Sequence, residues 1–318
     1  MRNNYIIWLI VLLGLVGEST LVAEASASDL IPSVASSSQA VPSQIPLRGS
    51  LYQVRYHDHT TYLFGTLHVG RPEFFPLEAR VTQALSEADA LALEFDLRDV
   101  AAVQKAMQKY GLYTKHGTID QHISASNLQR LQATLQQFGI PFESISRMKA
   151  WMVAIVLEGA ALEQQGYHTE LATETYLTSA AAAQGKTVLS LESAGQQLSL
   201  FDSMTEKQQE QYLSDNLKDI RSGEMRKKTQ ELVEAWATAN EKVFEDILKE
   251  AQSDQTTEGK FILDMLLGKR NPAMASKIAI MLKEHKASFV GIGLLHLLGP
   301  DGVPQLLAKQ GFEVTQLY

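Results

Sequence analysis

The chain of 318 residues contains no cysteine. That one absence excludes disulfides, thiolate catalysis, iron–sulfur clusters and Cys-ligated zinc, along with a lipidated N-terminal cysteine. Any metal must be held by His, Asp or Glu. A Lys/Arg cluster large enough to make a basic face is also missing. The formal charge is −8, whereas a protein that neutralises phosphates needs a basic face, so no nucleic-acid partner is expected. There is no H-E-x-x-H, no G-x-S-x-G elbow and no Gly-rich phosphate loop, which sets aside the zincin helix, the serine-hydrolase turn and the common nucleotide cradles. Ser146-Arg147-Met148-Lys149 and Ser214-Asp215-Asn216 match S-x-x-K and S-D-N, but no K-T-G follows them, and chance accounts for both.

Continuous apolar sequence is scarce outside one place. Tyr5–Val16 follows Arg2 and is shorter than the roughly 20 residues a bilayer-spanning helix needs. Ala23, Ala25 and Ala27 supply A-x-A sites behind it. The pattern predicts a signal peptide over 1–27, cleaved after Ala25 or Ala27, with an uncleaved anchor as the alternative. Export follows, to the periplasm or beyond it to the medium, with no stable membrane anchor once the leader is removed. Residues 28–46 are rich in Ser, Ala and Pro and read as a disordered, flexible linker.

What remains, 47–318, has the composition of a globular domain: 45% hydrophobic and 20% charged over the whole chain. Leu51–Tyr56 and Thr61–His68 read as a β-hairpin around His57-Asp58-His59-Thr60. His57 and His59 are metal-like in type, but a solvated turn is the simpler reading. An amphipathic helix is expected over Pro76–Ala90, then a buried strand Ala90–Phe95 and helical stretches at Val100–Tyr110, Ser126–Phe138, Met148–Gln165 and Glu170–Gln184. Lys186–Leu191 is a strand. Ser203-x-x-Glu206 reads as a capping box that opens a long charged helix. Helices follow near Arg226–Lys249, Glu258–Leu267 and Pro272–His285. The chain closes with a strand at Ala287–Gly293, a helix at Gly302–Gln310 and a strand at Phe312–Leu317. The predicted class is α/β in the α+β sense: a central mixed sheet assembled from both chain ends, with a helical insertion in the middle.

Four of these strands carry a polar residue past their carboxyl ends: His68, Glu94 (with Asp96), Glu192 and His296. Burying such groups without partners is costly, and in open α/β sheets ligands bind at that edge. The two histidines share a frame, Gly65-Thr66-Leu67-His68 and Gly293-Leu294-Leu295-His296. A Gly there lets the backbone turn sharply or approach a ligand without a Cβ in the way. A histidine pair with one or two carboxylates suits Zn²⁺, Mn²⁺ or Co²⁺. In that reading His68 and His296 are ligands, Glu94 is third ligand or general base, and Glu192 is the reserve carboxylate. Arg270 and Asn271 would orient a substrate carbonyl or carboxylate, though Arg270 reads equally as the cap of a helix ending there.

The segments Tyr62–Leu77 (YLFGTLHVGRPEFFPL) and Phe289–Val314 (FVGIGLLHLLGPDGVPQLLAKQGFEV) resemble the opening and closing signatures of the TraB/GumN family. Ala90–Asp96, Gly166–Leu177, Gly185–Phe201 and Leu266–Ile278 agree in order. The family is similar to the Tiki-type metalloproteases and, more distantly, to erythromycin-esterase and ChaN-like folds. The resemblance implies a metal-dependent hydrolase of a peptide or peptide-like bond, with both G-x-x-H histidines and Glu94 in the site. It also leaves room for a non-catalytic protein that sequesters a small molecule or peptide, or, by analogy with ChaN, for an iron or haem carrier. The chain departs from the family where an Asp is usual (His168), where Gly-Ile-Asp is usual (Ala172-Thr173-Glu174), and where an aromatic commonly follows the Arg-Asn pair (Pro272-Ala273).

Overall fold

The structure, a computed structural model, describes residues 45–114, 116–253 and 260–318. The expected leader and nearly all of the expected linker lie outside the described residues. Six strands form one mixed sheet: β1 (Leu51–Tyr56), β2 (His59–Thr66), β3 (Ala90–Leu93), β4 (Thr187–Ser190), β5 (Ala287–Gly293) and β6 (Glu313–Gln316), in the order β4-β3-β5-β2-β1-β6. The α+β class and the assembly of the sheet from both ends of the chain stand as read from the sequence.

The hairpin turns more tightly than its sequence indicated. His57 takes a left-handed φ of 56°, so β2 starts at His59, which pairs with Tyr56. β5 is the central strand. It runs parallel to β3 on one side and to β2 on the other, and its segment Ser288–Gly293 is wholly buried. Such two-sided burial is why Ala287–Gly293 is a continuous apolar run and not an alternating one. Its single interior hydroxyl, Ser288, is answered by Thr61 across the β2 pairing at 2.7 Å. β4, β3, β5 and β2 are contiguous and mutually parallel. Their carboxyl ends therefore share one edge.

The connections from β3 to β4 and from β4 to β5 together hold a helical layer. The Ala150–Glu163 helix packs against Glu206–Ser222, which also meets Ala125–Phe138 and Glu224–Ala237. Ala150–Glu163 is apolar nearly all round and buried accordingly. Several boundaries differ from expectation, among them these three. The capping box sits at Thr205 and Gln208, with Ser203 closing the preceding helix. Arg226–Lys249 is two helices, because Ala239 adopts φ 51° between Ala237 and Glu241. Arg270 opens the Arg270–Glu284 helix instead of capping the one before it.

One carboxyl is buried deep in the helical layer. Glu158 is 2% exposed and accepts from the Tyr212 hydroxyl at 2.8 Å and from the Asn216 amide. Burial pushes it up to about 8, against the pull of those two donors. An acid whose folded pKa is raised binds its proton more tightly when folded, so stability falls as pH climbs from the unfolded value of roughly 4.5 through 8. Glu158→Gln, which removes the ionisation, is expected to match the parent near pH 5. At pH 9 it should exceed the parent by an amount on the order of a few kcal/mol. Urea titrations of both proteins at the two pH values measure the difference, and parallel curves would contradict this account.

Candidate functional site

The shared edge gathers the four predicted strand-exit residues. His68 follows β2, Glu94 follows β3, Glu192 follows β4, and His296 lies in a single helical turn, Leu294–Leu297, just past β5. His68, Glu94 and His296 are 9%, 3% and 1% exposed. Glu94 is the hub. Its Oε1 lies 3.9 Å from His68 Nε2 and 3.7 Å from His296 Nε2. Both separations are too long for hydrogen bonds, and both Nε2 atoms are buried without a partner. The Gly293 N–H donates to that same oxygen at 2.8 Å. The other oxygen, Oε2, takes the Arg270 guanidinium and the Gln197 amide, the latter at 2.9 Å.

Arg270 reaches the site from the first residue of its helix and is itself 4% exposed. It also grips Glu192, with Nε 2.9 Å from Oε1, and Gln197 spans the two carboxylates by donating to Glu192 Oε1 at 2.8 Å. A planar guanidinium presents its N–H groups in a fixed fork and can serve two carboxylates from adjacent strands in this way. Asn271, the next residue, has both ends of its side-chain amide engaged within the protein. Its Oδ1 lies 2.6 Å from His296 Nδ1, and its Nδ2 donates to the Asp301 carbonyl at 2.8 Å.

The electrostatics follow from burial and from the single guanidinium. Burial alone would raise Glu94, but Arg270, then His296 and His68, hold it down at about 2. Burial together with Arg270 lowers His296 to about 3, despite Glu94. For His68 burial pulls downward too, yet Glu174 and Glu94 outweigh it and the net shift is upward. Glu192 is raised by burial against the pull of Arg270. Three carboxylates, from Glu94, Glu174 and Glu192, thus converge on one guanidinium and two imidazoles.

Two members were not read from the sequence as site residues. Glu174, in the first turn of the Thr173–Ala183 helix, sets Oε1 2.7 Å from His68 Nδ1; its segment had been noted only for departing from the family pattern. Gln197 carried no signal at all. Its neighbour Ser193, the N-cap of its helix, explains the local Ser-x-x-Gln box, and a box of that kind says nothing about Gln197.

Gly293 keeps the centre open. A Cβ there would meet Glu94 Oε1 at 3.2 Å, His68 Nε2 at 3.6 Å and His296 Cδ2 at 3.7 Å. Gly65, its counterpart in the first G-x-x-H, serves packing instead: a Cβ there would lie 2.4 Å from Leu294 Cδ1. Elsewhere, the ligand atoms of Glu163, His168 and Glu170 come within 4.8 Å of one another. Those side chains are partly or fully exposed, and His168 Nδ1 is already paired with Glu163 at 2.9 Å, an ordinary surface pair. His57-Asp58 forms the hairpin turn, as expected. A cleft of about 410 Å³ lined by Ser203, Met204, Gln208, Phe261, Asp264 and Met265, among others, shares no residue with the cluster.

Comparison with known proteins agrees with the shape of the sequence. Residues 50–316 match the model of the TraB/PrgY/gumN family. The chain is 27% identical over 247 residues to the uncharacterized protein YbaP of Shigella flexneri, covering 78% of this chain and 87% of that one. It is also 27% identical to YbaP of Escherichia coli K12 over 246 residues, 77% of this chain and 87% of that one. No solved structure matches it. The chain belongs to the TraB/PrgY/gumN family.

Proposed function

We propose that this protein is an exported metal-dependent hydrolase acting on a peptide or peptide-like bond, with Mn²⁺, Co²⁺ or Zn²⁺ held by His68, His296 and Glu94. One observation carries the reading. Two buried imidazole nitrogens without partners face one carboxylate oxygen, around a space that a single methyl group at Gly293 would invade. Buried polar atoms are almost always paired. A pair of orphans converging on a carboxylate offers the donor types that a divalent ion takes, with each imidazole nitrogen 3.7 to 3.9 Å from the shared oxygen.

A bound ion of this kind supplies Lewis acidity toward a carbonyl and toward water at neutral pH. The remaining work belongs to the chain itself. Glu94 turns Oε1 to the two histidines while Oε2 is committed to Arg270 and Gln197, which makes it the third ligand and leaves Glu192 for proton transfer. Burial raises Glu192 above the ordinary carboxylate range, the direction that suits a group exchanging protons near neutral pH. Arg270 holds the two carboxylates in register and offsets their mutual repulsion. The substrate class rests on the family resemblance, and the formal charge of −8 argues against a nucleic-acid partner.

Metal analysis of the purified protein tests the reading. The parent is expected to retain or take up a divalent ion in stoichiometric amount, and His68→Ala and His296→Ala to lose it with little change in circular dichroism. Equal metal content in all three proteins would remove the proposal. A protein that loads metal and captures peptides but never cleaves them would leave the alternative, a sequestering role.

A further inference from the structure

Both candidate ligand histidines are held from behind, by partners of different charge. Asn271 donates through Nδ2 to the Asp301 carbonyl at 2.8 Å, which turns its Oδ1 toward His296 Nδ1, 2.6 Å away. An amide oxygen accepts only, so the proton between them sits on Nδ1 and Nε2 is bare. On the other imidazole, Glu174 Oε1 lies 2.7 Å from Nδ1. That contact is an ion pair, off the line of a good hydrogen bond, and both carboxylate oxygens of Glu174 are buried without any hydrogen-bond partner among the described residues; the residue is 5% exposed.

The backbone makes this meeting deliberate. The Thr173 N–H donates to the Leu67 carbonyl at 3.0 Å, and the Leu67 N–H donates back to the Thr173 hydroxyl at 3.2 Å. The residues next to Glu174 and next to His68 are therefore tied to each other. Beyond them Gly70 and His168 exchange two backbone hydrogen bonds of 2.9 Å. A Cβ at Gly70 would lie 2.0 Å from the Leu171 carbonyl oxygen, so only glycine permits the approach. Arg71 completes the clamp by donating to the Gly166 carbonyl at 3.2 Å while lying over the Tyr167 ring.

We propose that Glu174 is a positioning residue that locks His68 as its Nδ1–H tautomer and aims the bare Nε2 at Glu94, with Asn271 doing the same for His296 through a neutral amide. This rests on the metal-site reading for its purpose, though its geometric content does not require a metal. Charged second partners also raise the basicity of a ligand imidazole, so the two histidines become unequal donors: His68 the stronger, His296 the weaker.

The test uses the full mature protein and two readouts. In the metal-free state, ¹⁵N NMR of the histidine rings is expected to show His68 protonated at Nδ1 in the parent and in Glu174→Gln, whose amide oxygen still accepts. In Glu174→Ala it should shift toward the Nε2–H form that a free imidazole prefers. Competition for Mn²⁺ against a chelator is expected to weaken roughly 10–100-fold in Glu174→Ala, with Glu174→Gln in between. A role in folding alone would lower the unfolding midpoint without changing the tautomer. Finding His68 bare at Nδ1 in the parent, or the same ring form and affinity in Glu174→Ala, would overturn the inference. A parent that binds no Mn²⁺ would remove the metal-site reading and leave the tautomer result to decide this one.

Discussion

Replacing Arg270 by methionine is expected to destabilise the fold by roughly 3–5 kcal/mol at pH 7, the usual cost of stripping one partner from a buried ionic group. Arg270 is the only guanidinium or ammonium that contacts Glu94 or Glu192 among the described residues. Methionine fills most of the space but leaves the two carboxylates side by side, bridged only by the Gln197 amide. One of them must then take up a proton. The deficit is therefore expected to shrink as pH falls toward 5, because the folded variant binds that proton more tightly than its unfolded chain does. Adding Glu192→Gln to Arg270→Met should recover part of the loss, since the two sites are in contact and their effects do not add. Urea titrations of the four proteins provide the cycle. A single variant within about 0.5 kcal/mol of the parent, the range of an ordinary surface change, would show that the guanidinium does not hold this cluster.

Gly293→Ala is expected to abolish metal binding while leaving the fold standing. The backbone there has φ −50°, which alanine adopts freely. The new methyl would sit 3.2 to 3.7 Å from Glu94, His68 and His296, in ordinary or slightly tight contact. It would occupy the space between the three groups. Affinity for Mn²⁺ or Zn²⁺ should fall by more than the roughly 10–100-fold typical of losing an outer partner. Gly65→Ala, the same change in the other G-x-x-H, should behave oppositely. Its Cβ would collide with Leu294 at 2.4 Å, an overpacking that costs about 1–3 kcal/mol, with metal binding retained in the molecules that fold. Calorimetric titration with the metal, beside thermal unfolding, separates the two. If both variants lose stability and keep affinity, the space at Gly293 is not the ion's.

The strand-exit residues were legible because burial leaves a mark on local sequence. A run such as Ala287–Gly293 is apolar throughout since both its faces are covered, and a charged or imidazole side chain just past such a run has to be justified by a partner. The paired G-x-x-H frames added a coincidence between distant segments. Helix limits were less legible. The capping box sits at Thr205 and not at Ser203 because Ser203 closes the preceding helix, and both frames, Ser203-x-x-Glu206 and Thr205-x-x-Gln208, fit the pattern locally.

Glu174 and Gln197 were invisible for a different reason. An acidic residue in the first turn of a helix is explained by the helix alone, and a glutamine on a capped helix is explained by solubility. Nothing local separates them from their neighbours. The contacts that place them in the cluster are distant: Gln197 meets Glu94 across 103 positions as well as its neighbour Glu192, and the Thr173–Leu67 tie beside Glu174 spans 106. Asn271 was singled out from the sequence, but for substrate, and the structure turns it to His296.

By itself the sequence determined where these strands lie and which groups would stand at their ends, because hydrophobic periodicity and the cost of burying polarity act over a few residues. It did not show that β4, read as buried, is a half-exposed edge strand. Only the tertiary structure decided that β4, β3, β5 and β2 lie side by side and parallel. That order turns four separate chain ends into one edge. It also decided which side chains from the covering helices reach in behind them, since a contact between distant segments is fixed by packing of the whole sheet and not by anything written beside either residue.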